Sequence, residues 1–511
     1  MVSEARSAGL GATAVLLAAV VATLSSAGPA PAAAPLGHEG RFYTDSEGRA
    51  LILHGLNMVA KRPPYLPSKL GFGRDDARFL ARNGFNTVRL GVIHKGLEPR
   101  PGVYDRGYLR ALERTERVLA REGIFTLLDF HQDLYNERFS GEGEPDWAVQ
   151  DDGLPALPDV GFPANYFAMP ALSRAFDHFW ANDAGPGGVG IQDRYALAWR
   201  RTARAFGDRD RVLGYDLINE PWPGTIWPTC ASPIGCPAFD RGPLAGLTDR
   251  VLRQIRSVDR RHLVFYEPEV LFNFGAESSH PPTGDPSTAF SYHVYCLPDA
   301  FLTTVFPGGN PLGDLSCAAL ESLVLDNALR QSRETGDGLM LSEFGATNDL
   351  AVLRRIVASA AQRMLSWQEW HYCDCEDPTT SGPGVQSLVL DPARAPSGDN
   401  LKREKLRVLA EPYPQAVAGT PRRFGFDRAT GLFELEFATR ALGRRLAPGA
   451  TTEIALPRLH YPRGYTVEAA GARVRSRPGA RLLRLETCAG ASAVDVAVRP
   501  GPGPGPGGCR R

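Results

Sequence analysis

Short apolar runs, each closed by a polar cluster, recur at residues 50–57, 86–92, 124–130, 212–219, 263–266, 289–295, 339–342 and 364–370. Continuous apolar stretches of this length, bounded by turn residues, read as parallel strands buried on both faces. Segments with helical spacing lie between them, at 74–83, 105–121, 193–206, 244–258, 317–334 and 350–363, with a last one at 400–410. Gly84 and Gly123 end the first two helices. Eight such strand–helix repeats predict an α/β chain closed into a (β/α)8, or TIM, barrel. No Gly-x-Gly-x-x-Gly turn follows the first strand, which weighs against a nucleotide-binding sheet. One connection breaks the rhythm: residues 134–190 form a long insertion with Trp147, Tyr166, Phe167 and Trp180, suited to a lid or binding wall.

From about residue 414 the pattern changes. Short alternating runs at 424–427, 432–437, 452–456, 465–469, 482–486 and 493–498 are separated by Gly, Pro and Arg. They predict a small C-terminal β-sandwich. The domain boundaries drawn from this are 35–412 for the barrel, 413–499 for the sandwich and 500–511 for a Gly/Pro-rich tail.

Residues 1–34 stand apart. Arg6 precedes an apolar run, 10–24, and a stretch of small residues, 25–35, the pattern of a secretory signal peptide. The run is short for a membrane span and no basic stop-transfer cluster follows it. The expected location is therefore extracellular. Export gives the eight cysteines a meaning, since an even count in an oxidising compartment favours disulfides. Cys230 with Cys236 and Cys296 with Cys317 are close enough to pair locally; Cys373 and Cys375 flank one residue, and Cys488 and Cys509 lie near the C-terminus. Spacing leaves the connectivity open. No Cys-x-x-Cys pair or matched His spacing favours zinc. Lys plus Arg and Asp plus Glu both number 57, and this balance gives no support for a nucleic-acid partner.

The chemistry gathers where the predicted strands end. The apolar run 212–218 stops at Asn219-Glu220-Pro221, and Pro221 cannot continue a ladder. The run at 338–345 carries Glu343 at its tip in the same way. Barrel enzymes carry their reacting groups at the C-terminal ends of strands, and two glutamates so placed point to the paired carboxylates of glycoside hydrolysis. Either glutamate alone reads more readily as a solvated loop residue or a salt-bridge partner. The company they keep changes the reading: Arg89, His131, Asn219, His293, Tyr295 and Trp370 also fall at or near predicted strand ends.

This ordered set, over roughly residues 40–410, resembles glycoside hydrolase family 5, whose members are retaining (β/α)8 enzymes. The resemblance implies Glu220 as general acid/base and Glu343, in Ser342-Glu343-Phe344-Gly345, as nucleophile. Arg89, His131, Asn219, His293, Tyr295 and a strand-eight Trp match the rest of that active-site set, with Trp370 preferred to Trp367. Within the family, the segment from His54 to Lys61 with Pro64 and Tyr65, and the segment from Asp129 to Asp133, are similar to the endoglycoceramidases, which also carry a C-terminal β-sandwich. This implies cleavage of the β-linkage between glycan and ceramide in glycosphingolipids presented in micelles or membranes, by a monomer in peripheral contact with them. Lys61, His131 and Asp133 would line the glycone pocket. Arg89 would hold the Glu343 charge, Asn219 would donate to the sugar 2-hydroxyl, Tyr295 to Glu343, and His293 would orient Glu220 or the leaving oxygen. Trp147, Phe167 and the Pro-rich loop after Trp222 would form an apolar slot for the ceramide chains. No cofactor or metal is expected, since carboxylates and water suffice.

Three other readings compete. A β-glucanase, β-mannanase or β-glucosidase would share the fold and the catalytic pair. A carbohydrate-binding protein with an inactive barrel is disfavoured because both glutamates and their polar company are present. An esterase lacks its Gly-x-Ser-x-Gly elbow.

Overall fold

A computed structural model describes residues 36–296, 316–380, 382 and 384–501, together with Met1 and Cys509. The expected leader lies outside the described residues, as does most of the tail. Among the described residues, no helix is long and apolar enough to cross a membrane.

The apolar runs become eight strands: β1 (His54–Met58), β2 (Thr87–Val92), β3 (Phe125–Phe130), β4 (Val212–Asp216), β5 (Leu263–Tyr266), β6 (Thr288–Val294), β7 (Gly338–Phe344) and β8 (Ser366–Glu369). They close a barrel in chain order, with β8 hydrogen-bonded to β1 and every neighbour parallel. At Gly55 in β1 the strands approach so closely that a Cβ would sit 1.9 Å from the Thr87 carbonyl oxygen. The helices between strands start on side-chain caps where the sequence supplies them. Asp105 accepts the amides of Gly107 and Tyr108 to begin Arg106–Arg121, and Asp349 caps Leu350–Gln362 in the same way.

Two antiparallel sheets form the sandwich. One has four strands, Thr420–Asp427, Leu432–Ala438, Ala493–Pro500 and Tyr465–Ala470. The other has seven and takes three of them from the start of the chain: Gly37–Glu39, Phe42–Thr44 and Ala50–Leu51 precede Tyr413–Val417, Thr451–Ala455, Leu482–Thr487 and Ala472–Val474 in sheet order. This corrects the reading of residues 50–57 as one strand. Ala50 and Leu51 pair with Val417 and Ala416, while the barrel strand begins only at His54. Both sheets bury apolar side chains, so the run through Ile52 and Leu53 stays apolar across the change of partner. The first residues of the barrel portion therefore belong to the sandwich.

The sandwich covers the N-terminal ends of the barrel strands. Tyr413 stacks on His54 with ring centroids 3.7 Å apart and donates its hydroxyl to the Gly84 carbonyl at 2.7 Å. Leu36 and Tyr43 plug the barrel floor together with Leu53, Leu127, Leu213, Leu263 and Met340. The opposite, C-terminal face is left to the long loops. Helix Pro170–Trp180 in the insertion after β3 builds a wall there with Tyr135, Tyr166 and Trp222. The cysteines form four disulfides, Cys230–Cys236, Cys296–Cys317, Cys373–Cys375 and Cys488–Cys509. The first three lie in the connections that follow β4, β6 and β8, with Cys230 ending the helix Trp227–Cys230 and Cys317 starting the helix Cys317–Thr335.

Candidate active site

Arg89 is the centre of the polar floor. It lies on β2, points into the barrel and is fully buried. Its Nε donates to Asp216 Oδ2 at 2.9 Å and its Nη1 to Glu343 Oε1 at 2.5 Å. Its Nη2 donates to Glu267 Oε1 at 2.8 Å and Asn219 Oδ1 at 3.0 Å, and lies 3.0 Å from Asp129 Oδ1. Burial opposes the charge, but Asp129, Asp216, Glu267 and Glu343 overcome it and hold the guanidinium well above its usual pKa.

The two glutamates face each other above this floor. With His293, they place one ligating atom each within 4.8 Å of one another, so an oxygen of Glu220 lies within 4.8 Å of an oxygen of Glu343. Glu220 follows β4 with φ +43°, in the left-handed region, and Pro221 comes next. Its amide donates to Glu267 Oε2 at 2.9 Å, which pins this unfavourable backbone conformation. Its Oε1 accepts from Asn273 Nδ2 at 2.8 Å and lies 2.8 Å from His293 Nδ1. Glu343 Oε2 accepts the Tyr295 hydroxyl at 2.9 Å and lies 3.6 Å from His293 Nδ1. Burial raises the pKa of Glu220, the His293 contact lowers it, and the charges of Glu343 and Asp133 raise it, with a net upward shift. Burial likewise raises Tyr295, reinforced by Glu343 and Glu220, so it remains a phenol donor.

Asn219 is oriented from both sides. Its Oδ1 accepts from Arg89 and its Nδ2 donates to the Gln132 carbonyl at 3.0 Å. One amide hydrogen is left to give, because the NH2 group carries two.

A second cluster lies beside the pair. The Lys61 ammonium bonds to Asp133 and to Thr379 Oγ1 at 2.6 Å, and has Glu142 and Asp377 at 3.4 Å each. Burial opposes its charge, and Asp133, Asp377 and Glu142 more than offset that. His131 Nδ1 lies 2.8 Å from Asp129 Oδ2; burial lowers its pKa, Asp129 raises it, and the net is about 10. Trp370 closes this cluster. Its ring stacks 5.1 Å from that of His131, and Lys61 Nζ lies 4.5 Å from its centroid. Trp367, the alternative, is buried against His54, Phe85 and Phe344 and lies away from the pair.

The structure thus brings Lys61, Arg89, His131, Asp133, Asn219, Glu220, His293, Tyr295, Glu343 and Trp370 to one end of the barrel. It adds Glu267, Asn273, Glu142, Asp377 and Thr379, which sequence reasoning assigned no role. Glu267 had a visible signal, its place directly after β5; the others sit in loops without one. The expected ceramide slot is only partly assembled. Phe167 packs edge-on against Trp222 and Trp227, at 5.2 Å each, whereas Trp147 lies with His94 and Arg194 and donates its Nε1 to the Glu98 carbonyl.

Two carboxylates this close, one with a raised proton affinity and one on a guanidinium, can share a protonation and a nucleophilic displacement. Residues 47–376 match the family described as Cellulase (glycosyl hydrolase family 5), and residues 412–498 match the Glycoside hydrolase family 5 C-terminal domain. Endoglycoceramidase I of Rhodococcus hoagii (strain 103S) is 34% identical over 464 residues, covering 89% of this chain and 86% of that protein. Among solved structures, endo-glycoceramidase II from Rhodococcus sp. as a lactosyl-enzyme intermediate superposes with a TM-score of 0.73 at 30% identity, covering 90% of this chain and 100% of that one. The same protein in complex with ganglioside GM3 gives the same TM-score and identity, covering 90% and 99%.

Proposed function

Since the chain belongs to glycoside hydrolase family 5, and is a glycosidase, we propose that it cleaves the β-glycosidic bond between glycan and ceramide in glycosphingolipids, with retention of configuration. The observation that carries the stereochemistry is the approach of Glu220 and Glu343 to within 4.8 Å. Retaining pairs stand about 5–5.5 Å apart, while inverting pairs leave room for a water at about 6.5–9.5 Å. The relative caught as a lactosyl-enzyme intermediate supports the same covalent route.

In the first step Glu343, held as a carboxylate on Arg89, attacks the anomeric carbon. The bond to the ceramide oxygen breaks, and that oxygen takes the Glu220 proton. In the second step the Glu220 carboxylate takes a proton from water, the hydroxide attacks the anomeric carbon, and the ester to Glu343 breaks. Loss of the Glu343 charge between the steps lowers the proton affinity of Glu220 and lets it change roles. The free amide hydrogen of Asn219 serves the sugar 2-hydroxyl, a contact that strengthens as positive charge develops on the ring. Lys61, His131, Asp133 and Trp370 bind the glycan.

Support for the substrate comes from relatives over most of the chain and from the apolar edge of the site. Leu157 and Val160 on the β3 loop and Ile226 and Ile234 on the β4 loop are 63%, 56%, 43% and 64% exposed. They suit the active face to peripheral contact with a lipid aggregate. We read residues 1–34 as an export signal, which N-terminal sequencing of protein recovered from the medium would test; an unprocessed Met1 there would refute it.

The deciding experiment incubates the protein with glycosphingolipids and with β-glucans, using Glu220→Gln and Glu343→Gln as controls, and identifies products by mass spectrometry. Intact glycan plus free ceramide, lost in both variants, is expected. Oligosaccharides from glucan with glycolipids untouched would overturn the substrate and keep the catalytic pair.

A further inference from the structure

Glu267 takes no part in the two steps above, yet it touches Arg89 and Glu220, which do, and His293, which lies on Glu220. It follows β5 directly and is 2% exposed. Its Oε1 accepts from Arg89 Nη2 at 2.8 Å and faces His293 Nε2 at 3.4 Å, while its Oε2 accepts the Glu220 amide at 2.9 Å. His293 has no closer partner on Nε2, and its Nδ1 lies on Glu220 Oε1. That same Oε1 also takes the Asn273 amide. Two donors therefore occupy Glu220 Oε1, and Oε2 is the oxygen left to carry the transferable proton.

We propose that Glu267 is a positioning residue for the proton-transfer steps: through His293 it sets how tightly Glu220 holds its proton, and through the Glu220 amide it fixes where that proton is presented. The inference rests on the retaining mechanism above and names a further residue for it.

The charges around the relay give the sign. Glu220 faces His293 from β6, Glu343 from β7, Asp133 from the loop after β3, and the phenols of Tyr295 and Tyr166. His293 faces Glu220, Glu267 and Glu343, with Asp216 beneath. Glu267 faces Arg89 and His293. Burial works against a charged His293; the Glu267 carboxylate does most to restore that charge, followed by Glu343. A charged His293 in turn draws down the proton affinity that burial and Glu343 give Glu220. Neutralising Glu267 removes the main support of that charge, so Glu220 holds its proton to higher pH.

The test is the pH profile of kcat/KM, whose basic limb reports the general acid of the free enzyme. Two aryl β-lactosides are used, one with a leaving group that needs protonation and a dinitrophenyl one that does not. In Glu267→Gln the basic limb should move up by about one pH unit, and the protonation-dependent substrate should lose more rate than the dinitrophenyl one. Glu267→Asp, which keeps the charge, should retain the wild-type limb. An unmoved limb in Glu267→Gln, or equal losses on both substrates, overturns the proposal. If thermal unfolding shows Glu267→Gln unfolded, His293→Gln removes the same charge and must move the limb the same way; an unmoved limb there also overturns it. Failure of the parent mechanism is seen separately, in Glu220→Gly: azide should restore dinitrophenyl lactoside turnover, and no rescue would remove Glu220 from the acid/base role.

Discussion

Replacing Arg89 by Met keeps most of the side-chain volume and removes the guanidinium beneath the site. Four carboxylates then lose it: Glu343, previously at 2.5 Å, Glu267 at 2.8 Å, Asp216 at 2.9 Å and Asp129 at 3.0 Å. Removing one partner of a buried ion pair costs about 3–5 kcal/mol, because the other charge stays buried and unpaired. His131 still faces Asp129 and His293 still faces Glu267 and Glu343, so the loss should fall within that range, a large share of a total stability of about 5–15 kcal/mol. The loss should also depend on pH. In the wild type, burial raises Glu267, but His293 and Arg89 bring it below its reference value of 4.5. Such a group contributes stability that is present above the unfolded pKa and lost as pH falls through the folded one. In Arg89→Met, Glu267 keeps His293 but loses Arg89, and Asp216, which burial holds well above its reference value even against Arg89, loses its chief counter-charge, so the folded state takes up protons that the unfolded chain does not hold. The variant should therefore fall further behind the wild type as pH rises from 5 to 8. Denaturant unfolding followed by tryptophan fluorescence reads this directly, because all seven Trp lie in the barrel portion of the chain. A difference under about 1 kcal/mol, the range of an exposed pair, or a difference constant across pH, would refute the reasoning.

Two further outcomes follow from the site's two edges. Trp370→Ala removes the ring that meets both His131 and Lys61, and should raise KM for lactosides about tenfold, the equivalent of about 1.4 kcal/mol. An unchanged KM would take Trp370 out of the glycan pocket. Replacing Leu157 and Ile234 together by Asp should reduce co-sedimentation with glycolipid vesicles and leave turnover of a soluble aryl lactoside intact; equal loss of both would show that these loops shape the site itself and do not serve only lipid contact.

The barrel was legible because its strands are buried on both faces and therefore read as plain apolar runs. Closing the barrel in chain order then carries every strand tip to one face, which is why Arg89, Asn219 and Glu343 meet although they come from three separate repeats. What could not be read is set by long-range pairing or by loops. Ala50 and Leu51 look like the start of β1, and only their partners Ala416 and Val417, far along the chain, reveal the second sheet. Asn273 sits in a short 3-10 turn, Val270–Phe274, where no periodicity marks the one residue aimed at Glu220. Trp367 and Trp370 differ by the alternation of β8. Gln368 turns inward to Thr87 Oγ1, while Trp367, of opposite parity, packs among Phe85 and Phe344. Side chains of a strand alternate between faces, so Trp370, with the parity of Gln368, continues the inward series beyond the end of the strand. Parity was therefore the information needed to choose between the two tryptophans, and the sequence withheld it because an apolar run does not say which residue opens the strand.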